Sequence, residues 1–135
     1  MFNDHFDKVF CLNLPVRQER KQRMSNLFEA RNMEVEFFSA CRGFAIPFVH
    51  EFLKERFSAA GYVGTLISYL NLFDYALDRG YENICVIEDD VMIHKEIHSI
   101  SDNYIPRLPG NSEMCYFSYI PLSDDHAMWN YNEIS

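Results

Sequence analysis

Three consecutive carboxylates, Glu88, Asp89 and Asp90, close the apolar run ending at Ile87 and are followed at once by Val91, Met92 and Ile93. Burying charge is costly unless a partner compensates it, so this placement asks for a bound cation, a solvated turn or a phosphorylation pocket. Along an extended strand side chains alternate, which sends Glu88 and Asp90 to one side and Asp89 to the other. Two like charges about 7 Å apart repel by roughly 2 kcal/mol at an effective dielectric of about 20. A divalent cation reverses that sign. Magnesium or manganese takes hard oxygen ligands, commonly one or two carboxylates together with the phosphates of a substrate, and suits so sparse a set. The plainer alternative is a solvated strand end that caps the next helix. "VIEDD" also looks like the first strand of a phosphorylated receiver domain. That arrangement needs several further strands downstream, and only Val91 to Ser135 follows here.

Other chemistry-bearing residues give weaker patterns. His94 and His98 lie four apart, at helical spacing, but lack a third ligand and read as surface residues. Asp124 and Asp125 follow the last expected strand, where an exposed turn is the plain reading and a general base the sharper one. Phe37, Phe38, Phe48 and Phe52 read as core, with a sugar-stacking platform as the alternative.

The bulk numbers narrow the classes. A chain of 135 residues with 48% hydrophobic content can bury one core, which makes residues 1–135 a single domain. A formal net charge of −8 argues against a nucleic-acid or anionic-membrane partner, so any bound phosphate must be held by local groups. Cys11, Cys41, Cys85 and Cys115 include no C-x-x-C pair, and most sit in apolar runs, so they read as buried free thiols of a reducing compartment. The charged start "MFNDHFDKVF" is unlike a signal peptide and no run reaches the length of a membrane span. A cytoplasmic protein without a transmembrane segment is expected.

The elements that must position these residues alternate. Lys8–Leu14 reads as a strand buried on both faces, followed from Pro15 to Met33 by a helix with Val16, Arg20, Met24, Leu27, Phe28 and Met33 near helical spacing. Glu34–Ala40 reads as a second strand closed by a turn at Cys41-Arg42-Gly43. Pro47–Phe57 reads as a short helix or irregular excursion. Gly64–Gly80 predicts a helix with Leu66, Ile67, Leu70, Phe73 and Leu77 on its buried stripe and Gly80 as its C-terminal cap. The strand Asn83–Asp90 follows, then a segment read as a helix with a Pro/Gly loop up to Gly110, and a further strand over Glu113–Ile120. Alternating strands and helices predict an α/β fold with a mainly parallel sheet. Ligands of such sheets bind at the carboxyl ends of the strands, where Asn13-Leu14-Pro15, Cys41-Arg42-Gly43 and Glu88-Asp89-Asp90 converge.

Three blocks of the chain, "VFCLNLPVRQERKQRM", "FFSACRGF" and "GYVGTLISYLNLFDYALDRGYENICVIEDDVMIH", resemble the glycosyltransferases of family 25, a group that includes lipopolysaccharide-type and collagen galactosyltransferases. The resemblance runs in order from Val9 to Ser118. It implies a GT-A-like, Rossmann-like nucleotide-sugar-binding domain, truncated relative to a full catalytic domain, with the acceptor half and the catalytic base lacking. It implies transfer of a hexose, typically galactose, from a UDP-sugar donor to a glycan or protein acceptor with inversion, and a Mn2+ (or Mg2+) cofactor. Carried over residue by residue, it places Leu12, Asn13, Leu14, Arg17, Arg20, Arg42, Gly43, Ser68, Glu88 and Asp89 at the donor, and Glu88 and Asp90 at the metal. Arg42 stands where the family usually has Asp, Tyr69 where it has His after Ser68, and Phe73 where it has Trp. Two outcomes remain open on these residues: a transferase, with an oligomeric or other partner completing its site, or a non-catalytic relative that binds a nucleotide or a partner protein.

Overall fold

Side chains leave a strand on alternate faces, and in the first strand, β1 (Lys8–Asn13), both faces are apolar. The computed structural model of the chain describes residues 1–43 and 57–117. In it Val9 and Cys11 join Met24, Phe28, Met33, Phe2 and Cys85 in one buried cluster, while Phe10 and Leu12 join Leu72 in another. The first cluster is closed by helix α1 (Gln18–Ala30) and the second by helix α2 (Phe57–Asp78). A sheet with a helix on each face results, as strand-helix alternation predicts.

The described sheet has three strands in the order β2 (Glu36–Ser39), β1, β3 (Ile84–Glu88), all parallel. Asn13 pairs with Ser39 and Leu12 with Glu88, so the three carboxyl ends lie level. Beyond β3 come helix α3 (Ile97–Tyr104) and a 3-10 turn (Ile105–Arg107). At the other end a 3-10 turn (Phe2–His5) buries Phe2 against the sheet.

Both long helices end in the same way. At α2 the Gly80 N–H donates to the Leu77 carbonyl (3.0 Å) and the Tyr81 N–H to the Ala76 carbonyl (3.1 Å), with Gly80 at φ +72°. At α1 Asn32 takes the left-handed position at φ 50°, its N–H on Glu29 and that of Met33 on Phe28. These are Schellman ends, in which a left-handed residue lets the chain turn back and satisfies the last carbonyls. The Gly80 cap was legible in advance; the Asn32 cap was not.

The stripe expected on α2 is not the buried one. Leu66, Leu70 and Leu77 are 58%, 52% and 72% exposed, while Ala60, Gly64, Ser68, Leu72 and Ala76 face inward. The reason is a close approach between backbones. A Cβ on Gly64 would meet the Gly43 nitrogen at 2.6 Å and the Cys41 oxygen at 2.7 Å, and one on Gly43 would run into the Ala60 carbonyl. Small residues are required where the turn after β2 crosses the helix, and helical spacing then fixes the stripe. Gly43 is thus explained by proximity and not by a left-handed backbone.

Several smaller expectations also change. Pro15 and Val16 form an exposed turn before α1 rather than its first turn. Residues 113–117, read as the start of a strand, are irregular and exposed. Cys11 and Cys85 are buried, but Cys41 is half-buried and Cys115 exposed. His94 is exposed and precedes α3, while His98 is half-buried rather than superficial. His98 Nδ1 accepts the Phe2 N–H (3.0 Å), and its Nε2 lies 2.6 Å from the Arg31 carbonyl, tying the chain start to the end of α1. The excursion at Pro47, with Phe48 and Phe52, lies outside the described residues, as do Asp124 and Asp125.

Candidate functional site

The level strand ends bring three turns together at the carboxyl edge, where an α/β sheet accepts ligands. Strand β3 ends at Glu88, so Asp89 and Asp90 belong to a turn and the strict alternation expected of the three acids stops at the first. Asp89 is the buried one, at 8% exposure. Its Oδ2 accepts from Asn13 Nδ2 at 2.6 Å and its Oδ1 from Arg20 Nη1 at 2.9 Å. The same Arg20 nitrogen reaches Asp90 Oδ2 at 3.3 Å. Arg23, three residues further along α1, donates from Nη2 to the Asp89 carbonyl (2.8 Å) and from Nη1 to the Val91 carbonyl (3.3 Å).

Helix α1 therefore lays two guanidinium groups across the acidic turn. The hydrogen bond to Asp89, then its charge and that of Asp90, raise the Arg20 pKa further. For Asp89 the compensating cation is one of the chain's own side chains. Asn13, 4% exposed and the last residue of β1, also donates to the Arg17 carbonyl at 3.3 Å and so joins β1, α1 and the acidic turn.

Glu88 has a separate partner. Its Oε1 accepts from the Tyr69 hydroxyl at 3.1 Å. Burial, then the Glu88 charge, push the Tyr69 phenol up to about 12, so it stays a donor at neutral pH. Ser68, next to it, is 1% exposed; its Oγ accepts the Cys41 N–H at 2.7 Å and donates to the Gly64 carbonyl at 2.6 Å. That hydroxyl fastens the turn after β2 to α2. Its contacts are structural.

The remaining residues expected at the donor are distributed around this edge. The Leu12 side chain is buried in the apolar cluster beneath it. Leu14 is half-buried and its carbonyl accepts the Arg17 N–H at 2.8 Å. Arg17 is exposed, 3.6 Å from Glu19. Arg42 is exposed and Gly43 buried against α2. A cavity of ≈ 90 Å³ opens at the edge between β1 and β2, lined by Asn13, Pro15, Gln18, Lys21, Phe37, Phe38 and Ser39. Gln18, Lys21 and Ser39 went unnoticed in the sequence. The register of β1 against β2 sets Ser39 beside Asn13, the first turn of α1 brings Gln18 and Lys21 to the same cavity, and no motif announces it. A larger, mostly apolar concavity of ≈ 380 Å³ lies beside the second half of α1, between Leu27, Ala30, Met92 and Ile93, and holds none of the acidic side chains.

The sequence model of "Glycosyltransferase family 25 (LPS biosynthesis protein)" matches residues 6–126. The chain belongs to glycosyltransferase family 25. Family 25 relatives are distant. A glycosyltransferase 25 family member of Aedes aegypti is 23% identical over 90% of this chain and 22% of its own length. Human procollagen galactosyltransferase 2 is 27% identical over 73% of this chain and 18% of its own. A putative glycosyltransferase of Haemophilus influenzae is 25% identical over 79% of this chain and 43% of its own. The chain thus spans less than half of each of these relatives. No solved structure matches it. Among the described residues no helix is long and apolar enough to cross a membrane.

The family 25 resemblance implies a divalent cation, and the acidic turn can be tested for it. Among the described residues no group of three or more His, Cys, Asp or Glu gathers as a ligand set. Glu88 and Asp90 are exposed, each with one carboxylate oxygen engaged, on Tyr69 and Arg20 respectively, and the other without a partner among the described residues. Two hard oxygens are a fair protein share for magnesium or manganese only when substrate phosphates complete the shell. The Arg20 charge beside Asp90 reinforces that condition, since it repels a bare cation and attracts a diphosphate. The residues fit a metal that arrives with its nucleotide.

Proposed function

We propose that the chain carries the donor-binding part of a glycosyltransferase that transfers a hexose, galactose as first candidate, from a UDP-sugar to a glycan or protein acceptor with inversion. The observation that carries this reading is the Asn13–Asp89–Arg20 cluster at the carboxyl edge of a parallel sheet, in a chain whose family match spans residues 6–126. Inversion is a single displacement. The acceptor oxygen bonds to the anomeric carbon as the bond to the diphosphate breaks, the hydroxyl proton passes to a base, and negative charge collects on the departing UDP. Arg20 keeps guanidinium N–H groups beyond the one on Asp89, and a guanidinium held in place is suited to a diphosphate. Glu88 and Asp90 would hold the divalent cation, whose chemistry is Lewis-acid stabilisation of the same leaving group. Asn13 and the Gln18, Lys21 and Ser39 cavity beside it provide polar groups for the rest of the nucleotide.

A second reading, a non-catalytic nucleotide-binding relative, is favoured by one observation. Arg20 already compensates Asp89 and touches Asp90, so the acids are tolerable without a metal. Calorimetric titration with UDP and UDP-galactose, with and without Mn2+, followed by a donor-hydrolysis assay, separates the two. Metal-dependent binding with hydrolysis or transfer is the expected result, and Asp90→Asn should abolish the metal dependence. Binding without turnover selects the second reading; no binding of either ligand refutes both.

A further inference from the structure

The three acids of the turn have unequal fixtures. Asp89 is held by Asn13 and Arg20, and Asp90 by Arg20. Glu88, the last residue of β3, has Tyr69 as its one partner among the described residues. We propose that Tyr69 is a positioning residue for Glu88: its hydroxyl engages Oε1 and so sets the carboxylate rotamer that presents Oε2 to a cation carried by a nucleoside diphosphate. The inference rests on the donor-site reading above.

The hydroxyl is delivered from a rigid mount. The Tyr69 ring packs on the cluster of Phe10, Leu12 and Leu72, and its centroid lies 5.9 Å from that of Phe73 at an interplanar angle of 53°. The preceding residue, Ser68, is fixed at both ends of its hydroxyl, which anchors the helix backbone one position away. Glu88 itself is exposed. Without the phenol its flexible side chain would sample several rotamers, and ordering it would be charged against ligand binding. A half-buried ring with its hydroxyl at the surface makes that ordering part of the folded state.

Tyr69→Phe deletes the oxygen and keeps the ring, so helix packing is retained. Titration with UDP-galactose and Mn2+ should show affinity reduced about three- to tenfold, the range expected when one flexible side chain must be ordered on binding, with the thermal midpoint nearly unchanged. In a Glu88→Gln background the same substitution should bring little further loss. An unchanged affinity in Tyr69→Phe, or an equal loss in both backgrounds, overturns the positioning role while leaving the donor site standing. Failure of the unmodified chain to bind the sugar nucleotide at all removes the donor-site reading and this inference with it.

Discussion

Asp89→Asn is the sharpest probe of the acidic turn, because it removes the charge and replaces one acceptor by a donor at nearly constant shape. Asp89 now accepts from Asn13 and from Arg20 on different oxygens. An amide has a single acceptor oxygen, so one of those two donors must face an NH2 group. A hydrogen bond involving a charged partner contributes about 1.5–3 kcal/mol, and a donor left stranded in a buried place costs about 1–3 kcal/mol. The Arg20 side chain is 41% exposed and can turn to water, which discounts its share. Asn13, at 4% exposure, has much less freedom to do so. The net expectation is a loss of about 2 kcal/mol. For a chain of this size that lowers the thermal midpoint by very roughly 8 °C. Asp90→Asn provides the control. That side chain is 59% exposed and makes a single 3.3 Å contact with Arg20, so its replacement should cost less than about 1 kcal/mol. Urea unfolding of both variants, followed by circular dichroism, measures the difference. Equal losses, or an Asp89→Asn variant as stable as the parent, would refute the argument that burial separates these neighbouring acids.

The close crossing at α2 makes Gly64→Ala severe: its new methyl would meet backbone atoms within 2.7 Å, and a loss of about 2–4 kcal/mol in urea unfolding is expected. Backbone N–H groups of Asn83 and Glu82 lower the Asp7 pKa below its ordinary 3.8, so the anion is the form the fold favours. Its contribution is complete above the unfolded-state pKa and disappears as pH falls through the lower folded value. Asp7→Asn should therefore flatten the stability profile below about pH 4, and an unchanged acid limb would show that Asp7 is not involved. Burial pushes the Cys11 and Cys85 thiols up to about 12. Iodoacetamide at pH 8 followed by peptide mass spectrometry should then label exposed Cys115 first, half-buried Cys41 more slowly, and the two buried thiols only on unfolding. Rapid labelling of Cys11 would contradict the packing of β1.

The acidic turn, the Asn13 turn and the Arg-bearing helix were legible because each is local: a β-branched or apolar run ends, a charged cluster begins, and parallel topology sends all such ends to one edge. What the acids do with their charge was not legible. Sequence spacing treated Glu88 and Asp90 as the pair and left Asp89 aside, whereas the end of β3 at Glu88 turns Asp89 inward to Asn13 and Arg20. The stripe of α2 misled for a related reason. Hydrophobicity pointed to Leu66, Leu70 and Leu77, but the approach of the Gly43 turn demanded Gly64 and Ser68 at the contact.

By itself the sequence determined the periodicities, and with them the strand-helix order, the parallel sheet, the Gly80 cap and the edge on which polar chemistry would gather. Only the tertiary structure decided which acid is buried, which arginine meets it, that Tyr69 reaches Glu88, and that Gln18, Lys21 and Ser39 share a cavity with Asn13. Periodicity is carried by neighbours a few positions apart. Charge pairing depends on side chains 69 residues distant in the chain, as for Arg20 and Asp89, and their meeting is fixed by register and packing that no local pattern encodes.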